Sequence, residues 1–154
     1  MVRLALYERH GTAGQLLHMT SKIAVLVVDD SEAYAQLVRE AILLTKHDCE
    51  VDVAHDGLAA LEKLKLREET DEQYGLVITD LSMPIMSGFD LLRAIRTTDT
   101  IKNMAVVAMS SQTRGGMSKL VIALGANMFF EKQHNMNSIA HEMDLALQKL
   151  VLKR

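Results

Sequence analysis

The stretch of sequence that decides the fold is residues 76–80, Leu-Val-Ile-Thr-Asp, a mostly apolar run that ends in a carboxylate. Apolar runs of this length are typical of strands buried in a sheet. Residues 81–84, Leu-Ser-Met-Pro, include the chain's single proline, which has no N–H to donate to a strand ladder. We therefore predict that Asp80 lies at the C-terminal end of a buried strand. A carboxylate there is costly unless a positive group pairs with it, so another part of the chain should supply one.

Apolar runs of strand length alternate with amphipathic stretches along most of the chain. The expected strands cover residues 23–28, 50–54, 76–79, 104–109 and 127–130. A helix follows each of them, the first capped by Ser31 and the fourth closed by Gly125. This alternation predicts an α/β fold, with a doubly wound parallel sheet and helices on both faces. We expect one domain over residues 23–152, preceded by an N-terminal extension, residues 1–22, that is not part of the core.

Composition excludes several classes of function. The 154 residues are 49% hydrophobic and 24% charged, with a formal net charge of −3, so we expect no direct binding to nucleic acid. No apolar run approaches the length of a membrane-spanning helix. Cys49 is the single cysteine, which fits a reducing, cytoplasmic location.

Polar residues collect at the predicted C-terminal ends of the strands, where doubly wound sheets place their chemistry. They are Asp29, Asp30, Asp80, Ser110 and Lys132. Three carboxylates close together require a cation, and a set of hard oxygen ligands favours Mg²⁺, with Mn²⁺ as a possible substitute. A hydroxyl and an ammonium are suited to hold a phosphoryl group. The chain has no glycine-rich nucleotide loop, so a single phosphoryl group on one carboxylate is the simplest interpretation.

These motifs together resemble the receiver domain of two-component response regulators, of the single-domain type. The resemblance covers roughly residues 22–152. It rests on Asp29-Asp30, on Asp80 with residues 81–88, on Ser110, and on Lys132 at the end of residues 125–132. The resemblance implies a flavodoxin-like sheet of five parallel strands in the order 2-1-3-4-5.

The resemblance also implies a role for each matching residue. Asp80 is the expected phosphoacceptor. The expected metal ligands are Asp29, Asp30, Asp80 and the backbone carbonyl of Ser82. Ser110 and Lys132 are expected to bind the phosphoryl group, and Ser110 and Phe129 to act as the switch. Ser82 and Gln112 occupy the two positions that tune dephosphorylation in the family.

The implied partners are proteins. A histidine kinase or a histidine phosphotransfer protein would donate the phosphoryl group. A downstream target would bind the face formed by helix 4, strand 5 and helix 5. Beyond assisting its own phosphorylation and dephosphorylation, the domain is not expected to be an enzyme.

Three residues depart from the family's usual pattern. Gln133 follows the lysine where a proline in a cis bond is common, Phe129 replaces a frequent tyrosine, and Ser111 replaces a usual alanine. The alternative function is therefore a degenerate receiver that binds partners without phosphorylation.

A phosphate-ester hydrolase would need a second acid two residues after Asp80, where Ser82 stands. Flavin binding is not supported, because the sequence has no loop of the kind that binds a flavin phosphate.

Overall fold

A computed structural model describes residues 22–153 of the chain. The predicted extension, residues 1–22, lies outside the described residues except for Lys22. Five strands alternate with five helices over the described range. The strands are β1 (Ile23–Val28), β2 (Cys49–Ala54), β3 (Leu76–Asp80), β4 (Val106–Ser110) and β5 (Met128–Glu131). The helices are α1 (Glu32–Leu43), α2 (Gly57–Glu68), α3 (Gly88–Thr97), α4 (Met117–Ala123) and α5 (Met136–Leu150).

All strand pairs are parallel, and the order β2-β1-β3-β4-β5 confirms the predicted doubly wound sheet. The order reverses between β1 and β3, where Val28 pairs with Thr79. The residue that follows each member of this pair is an aspartate, Asp29 after Val28 and Asp80 after Thr79. The register therefore places two carboxylates side by side at the carboxyl end of the sheet.

Each face of the sheet carries its own apolar core, because alternate side chains of a strand point to opposite faces. Val25, Val27 and Ile78 contribute to the core beneath α1 and α5. Leu26 and Val77 contribute to the core beneath α2 and α3. Burial on both faces explains why these strands are continuous apolar runs rather than alternating ones.

Some boundaries differ from the predicted ones. β4 begins at Val106 rather than at residue 104, because Met104 still donates its N–H to the carbonyl of Ile101 in the preceding turn. Leu44 fits the apolar spacing of α1 but is 64% exposed, since the helix ends at Leu43 and Leu44 is its C-cap. Ser31 caps α1 as predicted and accepts a hydrogen bond from the backbone N–H of Tyr34.

No helix within residues 22–153 is both long enough and apolar enough to cross a membrane.

The loop after β3 contains one strained residue. The N–H of Met86 donates to the carbonyl of Pro84 at 2.8 Å, which closes a three-residue γ-turn around Ile85. Ile85 has a φ of 69°, a conformation that is unfavourable for a β-branched residue. Its side chain is 80% exposed, so packing does not compensate for the strain.

Ile85→Asn is expected to stabilise the fold by about 1 kcal/mol, because asparagine tolerates a positive φ that costs an ordinary residue about 1–2 kcal/mol. Urea unfolding of both proteins measures the difference. The control is Ile85→Val, which keeps the branched side chain and should stay within about 0.5 kcal/mol of the parent. If the Ile85→Asn variant were no more stable than the Ile85→Val variant, the turn would not be strained.

Candidate functional site

Asp29 and Asp30 follow β1 and differ sharply in exposure. Asp29 is fully buried, whereas Asp30 is exposed. The Asp29 carboxylate accepts the N–H of Ser31 at 2.9 Å through Oδ1 and the ammonium of Lys132 at 2.7 Å through Oδ2. Asp29 is therefore fixed by the turn and by the lysine, while Asp30 faces the solvent side of the site.

Asp80 ends β3, as predicted, and its side chain is 8% exposed. Its Oδ1 accepts the N–H of Leu81 at 2.9 Å. The loop then folds back, and Gly88 donates its N–H to the carbonyl of Leu81 at 3.0 Å. A Cβ on Gly88 would lie 2.0 Å from the carbonyl oxygen of Asp80, so only glycine permits this approach. The close return of the loop holds Asp80 at the rim of the sheet.

The three carboxylates form one cluster. Asp29, Asp30 and Asp80 each offer an oxygen, and these oxygens lie within 4.8 Å of one another. Burial raises the pKa of the Asp80 carboxyl above its usual range; the Lys132 ammonium opposes this rise and the Asp29 carboxylate adds to it. Three carboxylates against one ammonium leave a net charge of −2, which a divalent cation would balance. The oxygen donors also suit Mg²⁺ and Mn²⁺.

Lys132 supplies the positive charge that the sequence required. It follows β5, and its backbone N–H donates to the carbonyl of Ser110 at 3.0 Å. Its Nζ lies 2.7 Å from Asp29 Oδ2 and 3.4 Å from Asp80 Oδ2. The bond from Lys132 to Gln133 is trans, as are all peptide bonds in residues 22–153. The lysine thus reaches both acids without the proline that commonly follows it.

Ser110 ends β4 at the same rim and is 3% exposed. Its hydroxyl accepts the N–H of Gln112 at 3.0 Å and donates to the carbonyl of the same residue at 3.3 Å. Asp80 pairs with Met109 in the sheet, so Ser110 lies one residue beyond the strand position opposite Asp80. The hydroxyl is near the site but is held by the backbone of its own loop.

The remaining predicted residues surround this centre. Ser82 and Gln112 are both exposed, on the loops that follow β3 and β4. Phe129 pairs with Ala108 in the sheet and packs, half-buried, against the core beneath α2 and α3. The structure therefore brings together the acids and the lysine, and places Ser82, Gln112 and Phe129 in the elements next to them.

Tyr34 belongs to the site, although its position in the apolar stripe of α1 predicts only a core role. The Lys132 Nζ lies 4.4 Å from the centre of the Tyr34 ring. The Tyr34 hydroxyl donates to the carbonyl of Gln133 at 3.0 Å. The signal in the sequence was a hydroxyl-bearing aromatic one turn after Asp29-Asp30, where an aliphatic residue would serve packing alone.

Comparison with known proteins finds response regulators among the relatives of this chain. The profile of the response regulator receiver domain matches residues 25–144. The two-component response regulator ARR17 of Arabidopsis thaliana is 32% identical over 136 residues, which cover 84% of this chain and 88% of the relative. The response regulator ARR9 of the same plant is 34% identical over 128 residues, which cover 73% of this chain and 54% of the relative.

A solved structure shares the fold. The phosphorylated cyanobacterial phytochrome response regulator RcpA superposes with a TM-score of 0.73 at 22% identity, covering 87% of this chain and 97% of that one. The profile match spans most of the chain and includes the acids, Ser110 and Lys132. The chain therefore belongs to the response regulator receiver domain family of two-component signalling.

Proposed function

We propose that this domain accepts a phosphoryl group on Asp80 from the phosphohistidine of a histidine kinase or a histidine phosphotransfer protein. The observation that carries the proposal is the position of Lys132, whose ammonium lies between the Asp29 and Asp80 carboxylates at the rim of the sheet. A buried acid, a neighbouring ammonium and an oxygen-rich cation site are the parts that phosphoryl transfer requires.

In the transfer, a carboxylate oxygen of Asp80 attacks phosphorus in line. The phosphorus–nitrogen bond of the donor breaks, and its electron pair leaves with the imidazole nitrogen. The N–H of Leu81 keeps the carboxylate oriented through Oδ1. Lys132 moves from Asp29 toward a phosphoryl oxygen. This movement is possible because the lysine stem is flexible and its compact ammonium can donate in several directions.

Asp29, Asp30, Asp80 and the backbone carbonyl of Ser82 would hold Mg²⁺, and Mn²⁺ would substitute. When bound, the ion neutralises charge on the phosphoryl oxygens. The net charge of −2 and the clustered oxygens support this assignment.

The readout begins at Ser110. Its hydroxyl exchanges the backbone of Gln112 for a phosphoryl oxygen, and Phe129 follows it inward. The face formed by α4, β5 and α5 then changes its affinity for a target protein in the cytoplasm. The exposed side chains of Ser82 and Gln112 adjust how water reaches the acyl phosphate, and so its lifetime.

One observation favours the alternative, a degenerate receiver that binds partners without phosphorylation. The Ser110 hydroxyl is engaged twice by Gln112, and Ser111 beside it adds polarity. A locked receiver of this kind would bind its partner equally well with and without Mg²⁺ and beryllofluoride. The position of the Lys132 Nζ, 3.4 Å from Asp80 Oδ2, argues against this alternative.

Asp80→Asn is expected to abolish the uptake of phosphate from acetyl phosphate and Mg²⁺, because the amide is a far weaker nucleophile than the carboxylate. Wild type should gain an acid-stable, alkali-labile phosphate, measured by intact mass. Asp99→Asn, at an exposed residue paired with Lys102, is the control and should behave as wild type. Labelling that persists in the Asp80→Asn variant would refute Asp80 as the acceptor.

Removal of the metal is expected to lower stability. At a Mg²⁺ concentration of about ten times Kd, bound ion should add about 1.4 kcal/mol to the free energy of unfolding. Asp30→Asn should lose most of this gain while folding normally, because Asp30 is exposed. Thermal unfolding with Mg²⁺, Mn²⁺ and EDTA measures the effect.

The matched control for the metal is Glu32→Gln, which removes an exposed acid two residues further along the chain. It should keep the full response to Mg²⁺. Equal responses in the Asp30→Asn and Glu32→Gln variants would mean that the ion acts through general surface charge, and the assigned ligands would be wrong.

A further inference from the structure

We propose that Tyr34 is a positioning residue for Lys132. Its ring holds the lysine ammonium in place, and its hydroxyl fixes the loop that follows the lysine. The expected effect of Tyr34 on the rate of phosphorylation rests on the proposed function. Its structural part concerns the arrangement of Tyr34 and Lys132 before any phosphoryl group arrives.

Two contacts from one side chain carry the proposal. The Lys132 Nζ lies 4.4 Å from the centre of the Tyr34 ring, within the range of a cation–π interaction. The Tyr34 hydroxyl donates at 3.0 Å to the carbonyl of Gln133, the residue after the lysine. Tyr34 thus restrains Lys132 at its charged end and at its backbone end.

The restraint is needed because neither the lysine nor the glutamine after it is rigid. Lysine has a flexible four-carbon stem and loses much rotamer freedom when it is held in one place. The bond to Gln133 is trans, and a glutamine does not fix its own φ as a proline would. The Gln133 carbonyl is instead fixed by the hydroxyl of a residue that is itself 8% exposed.

The contacts also form a closed ring of interactions with Asp29. The carboxylate of Asp29 accepts the N–H of Ser31, and the Ser31 hydroxyl accepts the N–H of Tyr34. The Tyr34 ring contacts the ammonium of Lys132, which returns to Asp29 at 2.7 Å. The start of α1 therefore sets the position of both the acid and the lysine.

An aromatic face suits a lysine that has to change partners. The ring attracts the ammonium without offering a directional acceptor that would compete with a phosphoryl oxygen. Burial, aided by Glu142, raises the pKa of Tyr34 to about 12, so the hydroxyl stays protonated and remains a donor to Gln133. Lys132 can then move across the ring while its backbone stays fixed.

Three variants separate the two contacts from general packing. Tyr34→Phe removes the hydroxyl and keeps the ring, whereas Tyr34→Leu removes both. The matched control is Tyr74→Leu: Arg67 lies 4.4 Å over the Tyr74 ring, and the Tyr74 hydroxyl donates to Asp52. Tyr74 precedes β3, at the opposite end of the strand from Asp80, so its loss affects packing without touching the site.

The first measurement does not depend on phosphorylation. In NMR spectra of the metal-free protein, the Lys132 side-chain protons should be shifted upfield by the Tyr34 ring. The shift should persist in Tyr34→Phe and in Tyr74→Leu, and disappear in Tyr34→Leu. Lys132 protons without an upfield shift in wild type would overturn the proposal, whether or not the protein takes up phosphate.

The second measurement is the rate of phosphorylation by acetyl phosphate with saturating Mg²⁺. We expect Tyr34→Leu to slow it about tenfold and Tyr34→Phe about threefold, with Mg²⁺ affinity retained. Tyr74→Leu should leave the rate unchanged. If wild type is labelled and Tyr34→Leu is labelled equally fast, the positioning role is refuted while the proposed function stands. If wild type is not labelled at all, the proposed function fails and the NMR result alone decides the position of Lys132.

A double-variant comparison excludes a merely structural role. In a Lys132→Gln background, which slows labelling on its own, adding Tyr34→Leu should cause little further loss, because the ring then has no ammonium to hold. A further loss of about tenfold in that background would show that Tyr34 acts independently of Lys132, contrary to the proposal.

Discussion

Three carboxylates meet where the strand order of the sheet reverses, and the rest of the site depends on the charge that they concentrate there. β1 and β3 are hydrogen-bonded neighbours in fixed register, so the acids at their ends cannot move apart. Lys132 balances one negative charge, and the remaining two favour a divalent cation. The same excess of negative charge disfavours the binding of an anion such as a phosphoryl group until that cation is present. A phosphoryl group at the proposed acceptor would therefore need a bound cation to balance its charge.

The scaffold tolerates this charge because each buried carboxylate has donors at fixed positions. Asp29 receives the N–H of Ser31 and the ammonium of Lys132, and Asp80 receives the N–H of Leu81. The turn after β3 is anchored to the sheet, because the N–H of Leu81 also donates to the carbonyl of Met109 in β4 at 3.1 Å. Apolar cores on both faces stabilise the strands independently of the site. The fold can therefore hold a destabilising cluster of acids without losing its order.

Continuous apolar runs predicted the sheet and the positions of Asp29, Asp80 and Lys132, because such runs have well-defined ends where polar residues begin. The strand order came from the resemblance, since local patterns do not encode which strands are neighbours. Tyr34 was missed as a site residue because helical spacing predicts which face a side chain lies on, not which loop packs against that face. The γ-turn at Ile85 was not predicted either, because isoleucine rarely adopts a positive φ and gives no signal for one.

Lys132 lies at unequal distances from its two acids, and this difference indicates the direction in which its ammonium would move. The ammonium pairs with Asp29 at 2.7 Å and only approaches Asp80 at 3.4 Å, so the more weakly paired acid is the one we propose as the acceptor. A phosphoryl group on Asp80 would add negative charge on that side and draw the ammonium across. The backbone N–H of Lys132 is bonded to the carbonyl of Ser110, and Phe129 lies three residues earlier on the same segment. A shift of one ammonium would therefore reach Ser110 and β5 through groups that are already bonded to one another.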